Sequence, residues 1–112
     1  MSEVSPPLSV RVERSSSTIT VQVNGEIDTA TSPELERLVR QACNDDARAI
    51  VELDLSGVGF IDSSGLRALV VTQQAITESG GSLRVVRPSS QVERLLELTG
   101  LGETLLGSDR RG

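Results

Sequence analysis

The stretch Gly59-Phe60-Ile61-Asp62-Ser63-Ser64-Gly65-Leu66 holds this chain's best candidate for chemistry, because an apolar strand-like run ends there and an apolar helical pattern begins. A serine at a helix start has an exposed hydroxyl beside backbone N–H groups that no helical carbonyl accepts, a setting that suits an anion or a reacting oxygen. Ser63 could therefore attack a substrate or be modified itself. Attack requires a base within hydrogen-bond reach, and the chain contains neither His nor Lys, so no Ser-His or Ser-Lys pair can form. The neighbours do not make the Gly-x-Ser-x-Gly elbow of hydrolases. Asp28 and Asp62 could in principle share acid–base work, yet no aromatic or other binding group accompanies them. Gly57-x-Gly59 lacks the rest of a dinucleotide fingerprint and the Gly-Lys-Ser of a phosphate loop, and reads as a close approach of strand and neighbouring loop. No catalytic residue is expected, and Ser63 reads as a residue acted upon. The plain alternative is an N-cap worth about 1 kcal/mol, which gives no account of Asp62 and Ser64 on either side.

The elements that must hold this serine are legible from the hydrophobic period. Leu8, Val10 and Val12 alternate with polar residues, as do Ile19, Val21 and Val23, and the short Ser15-Ser16-Ser17 link predicts an antiparallel hairpin. After Asn24-Gly25 a loop, Glu26 to Ala30, leads to a helix start with Thr31 and Glu34 at capping-box spacing and Pro33 in the first turn. Leu35, Leu38, Val39 and Ala42 mark that helix's apolar face, and Asn44-Asp45-Asp46 ends it. A third strand is expected over Ala49 to Leu55, followed by a helix with Leu66, Leu69, Val70 and Ile76 in its stripe, closed by Gly80-Gly81. A fourth strand over Leu83 to Val86 precedes a helix opened by Ser90 and Glu93 and closed by Gly100-Leu101; Glu103 to Leu106 reads as a last short strand. Strands alternating with helices after a hairpin predict an α/β fold, a mixed sheet with its helices mainly on one face. Loops after the carboxyl ends of parallel strands gather at one edge, and two of them, Gly25 to Thr31 and Gly59 to Gly65, carry an acid beside hydroxyls.

Composition narrows the function further. At 112 residues the chain suits one domain, expected over 8–106 with flexible termini at 1–7 and 107–112. Its 16 acidic and 11 basic side chains give a net charge of −5, which argues against nucleic acid as a partner. Every basic residue is Arg, as in a GC-rich bacterial coding bias. The lone Cys43 has no His beside it for metal binding or thiolate activation, so neither a metal site nor a cofactor is expected. No secretory leader or apolar stretch long enough for a bilayer is visible, which predicts a cytoplasmic chain without membrane insertion.

Gly25-Glu26-Ile27-Asp28 before the first helix, with Val58-Gly59-Phe60-Ile61-Asp62-Ser63-Ser64-Gly65-Leu66 before the second, resembles the STAS family of anti-sigma factor antagonists, the anti-anti-sigma factors. The resemblance implies a single STAS domain that binds a kinase-type anti-sigma factor and releases the sigma factor. It also implies phosphorylation of Ser63 by that anti-sigma factor serine kinase, which switches binding off, and a serine phosphatase that restores the free hydroxyl. Asp28, Thr29, Asp62, Ser64, Gly65, Leu66 and Arg67 would then form the partner surface, with nucleotide and metal belonging to the partners. The same family includes non-switching scaffold subunits of signalling assemblies and of membrane transport systems, the alternative reading. Flanking acids suit a serine whose charge state is set by others, since a phosphate would add about −1.5 to −2 charges between them.

Overall fold

The computed structural model describes residues 8–43, 46 and 48–107. Two strands, β1 (Leu8–Arg14) and β2 (Thr18–Ile27), pair antiparallel with Val10 opposite Val23 and Val12 opposite Val21, so the alternating apolar residues share one face. Helix α1 (Ser32–Ala42) then leads to β3 (Ile50–Ile61), helix α2 (Ser63–Glu78) to β4 (Ser82–Val85), and α3 (Ser90–Thr99) with α4 (Gly102–Leu106) completes the order. The sheet runs β1-β2-β3-β4, with β2-β3 and β3-β4 parallel. Both crossovers advance in the same direction across the sheet, so a common handedness puts α1 and α2 side by side on one face, where they pack against each other. Between them and the sheet lie Val21, Val23, Ile27, Leu35, Val39, Leu53, Leu55, Leu66 and Leu69, all buried.

The hairpin, the mixed sheet and the helix stripes stand as the hydrophobic period predicts them. Several boundaries differ, for local reasons. β2 does not end at Asn24-Gly25 and β3 does not end at Leu55, because two register shifts let the parallel ladder continue to Ile27 opposite Ile61. Gly25 takes a φ of 114° there, open to glycine, and a Cβ on Gly57 would fall 1.7 Å from Asn24 Oδ1. Gly57 therefore lies close to the exposed Asn24 side chain of β2, not to a loop, and a Cβ on Gly59 would meet nothing, so the strand-and-loop approach expected of this pair is not what the fold contains. The segment Gly102–Leu106 is a helix and not a strand: Gly100 turns left-handed at φ 76°, and Leu101 and Leu105 fall on one helical face with Leu105 fully buried. A short apolar run of this kind fits either period, and contacts decide. Gln73 ties the segment down by donating to the carbonyls of Leu83 and Thr104. Helix α3 is capped by Ser89, whose hydroxyl accepts from the Val92 N–H, so Ser90 sits one place inside the helix. Asn44, Asp45 and both terminal segments, 1–7 and 108–112, lie outside the described residues.

The first β3 irregularity is held by a buried carboxylate. Asp54 is 3% exposed; its Oδ1 accepts from the Ser56 N–H (3.0 Å) and hydroxyl (2.7 Å), and its Oδ2 from Arg87 Nε (3.0 Å). Burial alone would raise this carboxyl's pKa, but the Ser56 hydrogen bonds and the Arg87 guanidinium together outweigh it and hold the pKa below its ordinary value. A depressed folded-state pKa means that the stabilisation is present at neutral pH and is lost as pH falls through the acid range. Replacing Asp54 by Ala should cost about 2–3 kcal/mol at pH 7, measured by urea denaturation, and the difference from wild type should shrink below about pH 4.

Candidate functional site

The two acid-and-hydroxyl loops meet at the carboxyl edge of the sheet because β2 and β3 end side by side. Glu26 faces Phe60 and Ile27 faces Ile61 in the last rungs of the ladder, and the Asp62 N–H donates to the Ile27 carbonyl at 3.4 Å. The first turn of α2 then lies against the end of β2 so tightly that a Cβ on Gly65 would sit 2.3 Å from the Ile27 oxygen. Only a residue without a side chain allows this approach.

Asp62, not Ser63, is the N-cap of α2: its backbone is extended and its Oδ1 accepts from the Gly65 N–H at 2.9 Å, while its carbonyl accepts from Leu66. Ser63 therefore occupies the first helical position. Its side chain is exposed, and its hydroxyl makes no hydrogen bond among the described residues. The Ser63 and Ser64 N–H groups likewise have no protein acceptor among the described residues, which leaves two donors at the positive end of the helix.

In the adjoining loop after β2, Asp28 closes a compact turn. Its Oδ1 accepts from the Ala30 and Thr31 N–H groups, each at 3.0 Å, an Asx-type arrangement, and lies 3.3 Å from the Thr31 hydroxyl oxygen. Thr31 does not form the predicted capping box; its hydroxyl turns back to the strand, donating to the Glu26 carbonyl at 2.8 Å and accepting from the Asp28 N–H. Asp28 is thus a structural cap of the loop entering α1, whatever else its second oxygen contacts.

Thr29, Ser63, Ser64 and Arg67 are exposed, and Asp28 and Asp62 are half-buried, so these six share the accessible edge. Gly65 and Leu66 do not: both are buried, Leu66 to 2% exposure within the core. Their part in the site is to seat the α2 turn, and the apolar stripe rather than the motif decides that placement. Phe60, two residues before Asp62, is also exposed, but its side chain borders a groove shared with Ser90, Gln91, Arg94, Leu95 and Leu98 of α3. Among the described residues, no cluster of acidic, Cys or His side chains could hold a metal ion, and no helix is long and apolar enough to cross a membrane.

The arrangement has known counterparts. A family profile described as the STAS domain matches residues 9–109. The chain belongs to the STAS domain family. An anti-sigma-B factor antagonist of Staphylococcus aureus is 35% identical over 85 residues, which cover 76% of this chain and 78% of the relative. The crystal structure of an anti-sigma factor antagonist from Mycobacterium paratuberculosis superimposes with a TM-score of 0.75 at 32% identity, covering 91% of this chain and 87% of the other. The antagonist SpoIIAA in its unphosphorylated form shares the fold, with a TM-score of 0.71 at 19% identity over 88% of this chain and 86% of its own. In this STAS domain the edge that carries Ser63 is made by backbone hydrogen bonds and caps, so its shape depends on few side chains.

Two substitutions test that construction. Gly65→Ala should destabilise the fold by about 2 kcal/mol or more through overpacking against the Ile27 carbonyl. Asp28→Ala should cost about 1–2 kcal/mol by releasing the Ala30 and Thr31 N–H groups. Thermal and chemical denaturation check both.

Proposed function

We propose that this STAS domain is an anti-sigma factor antagonist switched by phosphorylation of Ser63. The observation that carries the reading is the setting of that serine: an exposed hydroxyl with no hydrogen-bond partner among the described residues, at the first position of a helix whose cap is supplied by its neighbour Asp62. In the unmodified state the edge formed by Thr29, Ser63, Ser64 and Arg67, with Asp28 and Asp62, docks on an anti-sigma factor that is also a serine kinase, and the sigma factor is released. Transfer of the γ-phosphoryl group of ATP to the Ser63 oxygen, with loss of its proton to a kinase base, gives phosphoserine and ADP. The phosphate adds about −1.5 to −2 charges beside Asp62. Free N–H donors at the helix start tolerate that anion, so the fold persists, while a partner surface shaped for a neutral serine meets bulk and repulsion. Hydrolysis by a serine phosphatase restores the hydroxyl. The kinase supplies nucleotide and metal, and the cycle belongs in the cytoplasm where sigma factors act.

Incubation with the cognate kinase and ATP, followed by peptide mass mapping, tests the site. Phosphate should appear on wild type and on Ser64→Ala but not on Ser63→Ala. Ser63→Glu should bind the kinase at least tenfold more weakly than wild type, a loss of about 1.4 kcal/mol, while its denaturation midpoint stays close to that of wild type. Equal phosphorylation of Ser63→Ala would overturn the assignment.

A further inference from the structure

The two edges of the sheet are built differently. β4 is four residues long and has α4 packed against it, which leaves little backbone to pair. β1 is seven residues long, contains no Pro or Gly, pairs with β2 without a register shift, and among the described residues hydrogen-bonds to no other strand. Its outer row of N–H and C=O groups is a template for another strand.

The side chains along β1 select what that strand can be. Arg11 and Glu13 are exposed on one face; their cross-strand neighbours in β2 are the uncharged Gln22 and Thr20, and neither forms an ion pair among the described residues. On the other face Val12 is 38% exposed and borders a shallow groove of about 360 Å³ shared with Arg14, Leu38, Gln41 and Ala42. Antiparallel pairing of β1 with a second β1 about a two-fold axis through Val12 places each Arg11 opposite Glu13 of the second copy. The same register sets Val12 against Val12 and Val10 against Arg14. Opposite charges and β-branched pairs directly across antiparallel strands are favourable, and like charges are not. The neighbouring registers that keep the two apolar faces on the same side fail this test: centring on Arg11 or on Glu13 opposes each charge to itself, and centring on Val10 leaves Arg11 facing Ser9.

We propose that the outer edge of β1 is a self-association surface, at which two copies of this chain join their sheets through antiparallel β1 pairing centred on Val12 and held by reciprocal Arg11–Glu13 ion pairs. The interface is symmetric and closed, so it yields a dimer and not a fibre. Because the pairing reverses the second copy, the two edges that carry Ser63 point in opposite directions and both remain accessible. The inference does not depend on what Ser63 does. One short strand pair buries a small area, which puts the dissociation constant on the order of 10–100 µM.

Sedimentation equilibrium on the full chain, from about 5 to 500 µM at low salt, tests the proposal. Wild type should pass from monomer to dimer over that range. Arg11→Glu and Glu13→Arg alone should each weaken association at least tenfold by facing like charges, and the double exchange Arg11→Glu/Glu13→Arg should restore it to within about threefold of wild type. Both positions are exposed, and circular dichroism should show each variant folded. A wild type that stays monomeric overturns the proposal. So does a dimer that either single reversal leaves intact, or one that the double exchange fails to restore.

Discussion

The contact on which the site depends is the seating of Gly65 against the Ile27 carbonyl. Helix α2 can begin there only because its third residue has no side chain, and the adjoining Asp62 N–H donates to the same carbonyl oxygen. That one oxygen therefore fixes the end of β2, the end of β3 and the start of α2 relative to each other. Asp28 follows Ile27 directly and Ser63 follows Asp62, so the two loops are held together by backbone geometry before any side chain is considered. Moving the helix outward to admit a Cβ would separate them.

A division of labour between adjacent residues leaves the serine free. Asp62 spends Oδ1 on the Gly65 N–H and Asp28 spends Oδ1 on the Ala30 and Thr31 N–H groups, so both carboxylates work as caps. Had Ser63 been the cap, its hydroxyl would be committed to the helix backbone, and modifying it would remove a stabilising interaction. In the first helical position the hydroxyl has nothing to give up, and the unpaired N–H groups beside it favour added negative charge.

Much of this was legible in the residues because the hydrophobic period reports burial directly. The alternations in Leu8 to Val12 and Ile19 to Val23, and the stripe Leu66, Leu69, Ile76, lie in the hairpin and in α2 as read. What was not legible depended on a single residue's offset or on distant contacts. Ser and Asp are both good caps, so the order Asp62-Ser63 leaves the cap ambiguous by one place, and Ser89-Ser90 does the same. Asn24-Gly25 looks like a strand end, yet Gly25 takes a positive φ at an irregularity through which the parallel ladder continues. The buried Asp54, with Ser56 beside it and Arg87 more than thirty positions on, stabilises one of those irregularities and has no signature in the local pattern.

Residue types and spacing alone decided that Ser63 has no activating base, that strands and helices alternate, and that two acid-bearing loops follow parallel strands, because composition and periodicity are properties of the chain itself. Tertiary structure decided which residue caps α2, that Leu66 faces the core while Ser63 faces solvent, and that Glu103 to Leu106 is helical. These depend on the competition of backbone groups and apolar side chains for positions that only the packed sheet defines. The exposed serine was a candidate in the sequence; its uncommitted hydroxyl is a consequence of the fold.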